Sequence, residues 1–117
     1  MKLSDLANQL AQNVQDTLAK PLGDNATVTA VPLLTNKAMA EYGRKLEPGL
    51  IAIRVLIVTN EAAGDLGKME LFVPVSKDRL KAAPESVFGS VMHFIMQATQ
   101  YRAEMLGKVQ ERMETAV

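Results

Sequence analysis

The stretch LIAIRVLIVTNEAAGDLGKMELFVPV, residues 50–75, decides the fold. Its first ten residues interleave two apolar sets. Ile51, Ile53, Val55 and Ile57 share one side of an extended chain, and Leu50, Ala52, Arg54, Leu56 and Val58 share the other. Only Arg54 interrupts the apolar run. Leu50–Thr59 is therefore predicted as a central strand covered on at least one side. Asn60 to Lys68, with Gly64, Asp65 and Gly67, reads as a loop. Met69, Leu71, Val73 and Val75 alternate through a second strand, Met69–Val75, whose end Pro74 places at a sheet edge. Together these pieces predict an antiparallel hairpin.

Each strand of that hairpin carries one charge among apolar residues: Arg54 in the first, Glu70 in the second. A hairpin centred near Gly64 puts both on one face with Leu56, Val58 and Phe72. The plainer expectation is a cross-strand or diagonal ion pair. The sharper one is that Arg54, Glu70 and Phe72 form a polar face that binds an anionic or polar partner.

Upstream, Pro48 and Gly49 break the chain. Thr35 to Leu46 predicts a short helix, with Thr35 or Asn36 as its cap and Met39, Tyr42 and Leu46 on one face. Gly43 weakens that helix by about 1 kcal/mol relative to alanine; an extended arm or hairpin strand is the alternative. Thr27–Leu34 is rich in β-branched residues and reads as a strand, with Pro32 marking an edge or a bulge. Gly23, Asp24 and Asn25 form a turn. Leu3 to Lys20 repeats apolar residues at helical spacing, through Leu3, Leu6, Ala7, Leu10, Val14 and Leu18. Ser4 is the expected N-cap, Pro21 and Gly23 the stop, and Asn8, Gln12, Gln15 and Asp16 the face left to water.

Downstream, Ser76 to Ala83 is a charged connector with room for a helical turn. Pro84 suits the first position of a helix that nothing breaks, apart from Gly89 and Gly107, until about Thr115. Phe88, Val91, Met92, Ile95 and Met96 are expected in the core. Met105, Leu106, Val109 and Met113 form a narrower stripe among Glu104, Lys108, Glu111 and Arg112. Met92, Ile95, Thr99, Leu106, Val109 and Met113 have coiled-coil-like spacing, which Arg102 interrupts. Such a helix would be about 48 Å long, whereas a compact chain of this size has a radius of gyration of about 13 Å. Either it bends near Gly107 or its end extends past its own core. The predicted fold is α+β, of order α-β-(α)-β-β-α, in a single domain over residues 1–117. A small, mostly antiparallel sheet of about three strands packs under an N-terminal helix and a long C-terminal helix. Size and order resemble those of small dimeric chaperone and adaptor domains, a likeness of architecture that carries no function by itself.

The chain has 117 residues and no cysteine, which excludes disulfides, thiolate metal sites and cysteine nucleophiles. Thirteen lysines and arginines balance thirteen aspartates and glutamates, so no global field attracts nucleic acid or an anionic membrane. Lys37, Arg44 and Lys45, with Arg54 nearby, and Lys77, Arg79 and Lys81 form two local basic clusters. Glu41, Glu47 and Asp78 are interspersed among them. They are the candidate basic patch for nucleic acid and read more simply as solvated faces. Three phenylalanines, two tyrosines and no tryptophan argue against a stacking platform.

His93 is the only histidine, and its helical neighbours Gly89, Ser90, Met96 and Gln97 supply neither acid nor metal ligand. Ser86 and Ser90 lack the strand and glycines of a nucleophile elbow. Gly64–Gly67 lacks the ending of a phosphate loop, and Glu61 and Asp65 fall short of a calcium loop. No catalytic, cofactor-binding or metal residue is therefore predicted, and no cofactor. The first residues lack the apolar core of a signal peptide, and no apolar run is long enough to span a bilayer. The sequence predicts a soluble cytoplasmic protein with no membrane partner. The leading expectation is a non-enzymatic, adaptor-type protein that self-associates, as a dimer, through Met105, Leu106, Val109 and Met113 and binds a protein partner. The alternatives are a nucleic-acid-binding accessory protein and a small-molecule binder or enzyme with a pocket near His93.

Overall fold

The computed structural model describes residues 2–59 and 68–115, with side chains up to residue 100 apart from Asn25. Most of the Asn60–Lys68 loop lies outside the described residues, and so do the readings placed on Glu61 and Gly64–Gly67. The elements are α1 (Leu3–Leu22), a 3-10 turn (Gly23–Asn25), β1 (Ala26–Leu33), α2 (Asn36–Ala40), β2 (Leu50–Thr59), β3 (Lys68–Ser76), α3 (Lys77–Ala82) and α4 (Pro84–Thr115). The strands form one open antiparallel sheet of order β1-β2-β3. This is the α+β arrangement, in the order that the sequence predicts.

The alternation in β2 explains why it is central. Ile51, Ile53 and Val55 are fully buried. They meet Val28 and Ala30 of β1, Val73 and Val75 of β3, and one stripe from each long helix: Ala7, Leu10, Ala11 and Val14 of α1, and Val87, Val91 and Ile95 of α4. Leu80 adds a fully buried side chain from α3, so the expected connector is also a packing element. Its helix starts at Ser76, whose Oγ accepts from the Arg79 N–H at 3.3 Å.

Several boundaries differ from expectation. α1 begins one residue before Ser4: its N-cap is Lys2, which makes no side-chain cap bond. Starting there lets Leu3 pack against the core. α1 also continues through Pro21 to Leu22. In the last turn a proline forfeits a single backbone bond, and Leu22 reaches the core. Gly23, at φ +55°, ends the helix. Gln15 is not left to water: its Oε1 accepts the Ala30 N–H of β1 at 3.1 Å.

Met96 is the clearest correction. It was expected in the core, yet it is 63% exposed, and Phe94 is 42% exposed, while Ile95 between them is fully buried. Successive helical residues are about 100° apart, and a narrow sheet shared with α1 covers only one stripe of α4. α4 runs through Gly107 without interruption over 32 residues, about 48 Å at the usual rise. The molecule measures 57 × 30 × 22 Å, with a radius of gyration of 16.1 Å. That exceeds the value of about 13 Å for a compact chain of this length. The side chains of Met105, Leu106, Val109 and Met113 lie outside the described residues. Among the described residues, no helix is long and apolar enough to cross a membrane.

Both outer strands contain a proline, Pro32 in β1 and Pro74 in β3. Each removes a backbone donor, and Gln15 occupies a further one on β1. The face of the sheet away from α1 and α4 is only partly covered. There Leu33, Met39 and Ala52 form a small second cluster, with Ala38, Leu46 and Phe72 packed against it.

Candidate interaction face

The uncovered side of the sheet collects the residues singled out in the hairpin. Arg54 lies opposite Phe72, and Leu56 opposite Glu70. This register centres the hairpin one residue before Gly64. The resulting shift of partners is an even number, so the predicted face is preserved. Arg54 and Glu70 are diagonal neighbours. Arg54 Nε and one terminal guanidinium nitrogen both donate to Glu70 Oε2, at 2.9 and 2.6 Å. The Glu70 side chain is 40% exposed, so the pair contributes no more than about 1 kcal/mol.

The segment between α2 and β2 supplies the rest of the face. Thr35 caps α2, its Oγ1 accepting from the Ala38 N–H at 3.1 Å. Asn36, the other expected cap, instead braces the following segment: its Oδ1 accepts the Leu46 N–H at 2.7 Å. The helix ends in a glycine-dependent C-cap. The Gly43 N–H donates to Ala40 O at 3.0 Å, the Arg44 N–H donates to Met39 O at 3.1 Å, and Gly43 takes φ +68°. Gly43, which the sequence treats as a weak point inside a longer helix, is its terminator. The helix therefore spans Asn36–Ala40 only, and Tyr42 and Arg44 fall on either side of a sharp reversal.

That reversal stacks the two residues on the sheet. The Tyr42 and Phe72 rings meet edge to face at 5.5 Å between centroids. The Arg44 guanidinium lies 4.1 Å above the Phe72 ring, and that of Arg54 lies 4.7 Å from the centre of Tyr42. The order is Arg44, Phe72, Tyr42, Arg54, Glu70: two rings between two cations, with a carboxylate at one end. Arg54 is neutralised by Glu70. Arg44 makes no ion pair with any described carboxylate.

A Gly43→Ala change tests this construction. An L-residue in the left-handed conformation costs about 1–2 kcal/mol. No atom lies within 4 Å of the added Cβ, so the penalty is conformational rather than steric. The expected result is a loss of about 1 kcal/mol in urea unfolding and a weakened upfield ring-current shift on the Arg44 side chain by NMR.

No family model matches the chain, and neither does any curated protein or solved structure compared with it.

Beside the stack lies a cavity of about 270 Å³ lined by Met39, Arg44, Lys45, Leu46, Glu47, Leu50, Ile51, Ala52, Phe72 and Pro74. A second, more open hollow of about 590 Å³ lined by Asn36, Lys37, Ala40, Gly43, Arg44 and Lys45 shares Arg44 and Lys45 with it. One expected basic cluster, Lys37–Arg44–Lys45, is thus brought together. Lys77, Arg79 and Lys81 lie on α3 instead, where Arg79 lines a cavity between β3 and α4 with Phe94. His93 is exposed on α4 and lines none of the cavities described here. Among the described residues, no group of three histidines, aspartates or glutamates is placed to hold a metal ion. Tyr42 and Arg44 were not expected at this face. The available signal was Gly43: a glycine six residues before Gly49, following a capped run of helix formers, marks an early helix end.

Proposed function

We propose that this protein is a non-enzymatic, adaptor-type interaction protein of the cytoplasm, which dimerises through the distal half of α4 and binds another protein. The observation that carries the reading is the continuity of α4 beyond its core contacts. Val87, Val91 and Ile95 are buried. Leu106 follows Ile95 by eleven residues, and Val109 and Met113 follow Val87 and Val91 by twenty-two. In an unbroken helix an eleven-residue step returns to within about 20° of the same face. The apolar positions thus continue along one side of α4 from residue 87 to residue 113, and a second α4 is a natural complement to the far end of that stripe.

The sheet edges support the same reading by exclusion. Pro32, Pro74 and the Gln15–Ala30 bond disfavour edge-to-edge strand pairing, which leaves helix packing as the favoured route to association. Light scattering coupled to size exclusion is expected to give twice the chain mass at micromolar concentration. Leu106→Glu with Val109→Glu should return the mass to that of one chain with the circular dichroism of the folded sheet retained. A monomer at high micromolar concentration overturns the dimer.

A further inference from the structure

The cation–aromatic stack and the cavity beside it point to a ligand chemistry. A guanidinium over a ring is held by the ring while its N–H donors can still reach a carboxylate. Arg44 lies over Phe72, its Cζ 4.1 Å from the ring centre, and no described carboxylate pairs with it. Lys37 and Lys45 line the same pair of hollows, against the single acid Glu47. The lining thus carries three cations against one carboxylate, although the whole chain is neutral.

The floor of the cavity is apolar and closed. Met39 and Ala52 are buried beneath it, and Leu46, Leu50, Phe72 and Pro74 complete its walls. At about 270 Å³ it lies just below the range of about 300–1,000 Å³ typical of small-molecule sites. It has room for one or two side chains of a longer ligand. Nucleic acid fits the stack less well, since bases need open ring faces and one face each of Phe72 and Tyr42 is taken by Arg44 and Arg54.

We propose that the groove between Arg44, Lys45, Leu46 and Phe72 docks an acidic–apolar peptide segment of a partner protein, with an apolar side chain on the Met39–Ala52 floor and a carboxylate on the Arg44 fork. This deepens the adaptor reading by naming the chemistry of the partner, and it does not depend on self-association.

The probe is a short fluorescein-labelled peptide alternating leucine and glutamate, titrated into the full chain at low salt and compared with its leucine–lysine counterpart and a single-stranded oligonucleotide. The leucine–glutamate peptide should bind and move the amide resonances of Gly43, Arg44 and Leu46. Arg44→Gln should weaken it by about tenfold or more, and Phe72→Leu, which removes the support of the fork, should also weaken it. Lys81→Gln on α3 should leave it unchanged, and added salt should weaken it. No binding at low salt, equal binding of the lysine peptide, insensitivity to Arg44→Gln, or preferential binding of the oligonucleotide overturns the proposal. Light scattering on the same samples reports the dimer independently, so either claim can fail alone.

Discussion

Replacing Ile95 by alanine is expected to cost about 2–5 kcal/mol of folding stability. Ile95 is fully buried where α4 crosses the core, among the side chains of α1 and the sheet. Truncation removes most of an apolar side chain and leaves a cavity that two helices and a sheet are too constrained to close. The adjacent Met96→Ala is the control. At 63% exposure its loss should stay within about 0.5 kcal/mol. Urea unfolding followed by circular dichroism distinguishes them: Ile95→Ala should lower the midpoint with an unchanged slope. Equal effects at the two positions would mean that α4 sits in a different rotational setting. Phe88, which is only partly buried against the same core, should fall toward the lower end of the range.

Ile53→Asp should have the larger effect and abolish the folded state. Ile53 is fully buried at the centre of the middle strand, between Pro32 and Val73 on its neighbours. No buried polar or charged side chain among the described residues is there to pair with a carboxylate. The change loses about 1.5–3 kcal/mol of apolar burial, and the effective penalty for an unpaired buried charge is several kcal/mol more. Domains have only about 5–15 kcal/mol in total. Arg54→Leu, one residue along and on the opposite face, should change stability by no more than about 1 kcal/mol, because it gives up an exposed ion pair and a ring contact. The expected result is a far-ultraviolet spectrum without sheet or cooperative melt for Ile53→Asp, and a near-normal melt for Arg54→Leu.

The contrast between those two neighbours is the reason the fold was legible. A side-chain period of two, held over ten residues with one charge in it, leaves little choice of register, face or position in the sheet. The long helix was equally plain, since Pro84 starts it and nothing later stops it. Side-chain destinations were harder to read. Met96 looked like core because the sequence reports that a residue is apolar and cannot report how wide a surface the rest of the chain offers it. Gln15 looked solvated because its partner is a backbone N–H on an edge strand, and backbone donors leave no mark in a sequence. At the candidate face, the Arg54–Glu70 pair followed from alternation alone. Tyr42 and Arg44 did not, because their position depends on how a five-residue helix ends, and a single glycine reads as defect and terminator alike until its φ is known.

The two clusters on opposite sides of β2 have an energetic consequence. Leu33, Met39 and Ala52 are buried together, yet they form a group separate from the main core. Residues 36–49 can therefore lift from the sheet while α1, α4 and the inner face of β2 stay packed. Native-state hydrogen exchange should resolve this as a separate cooperative unit. The Arg44 and Leu46 amides, bonded to Met39 O and Asn36 Oδ1, should exchange together at a lower free energy than those of Val55 and Ile57. A face that binds through such a unit gains affinity from any ligand that holds it closed, and the rest of the fold does not have to move.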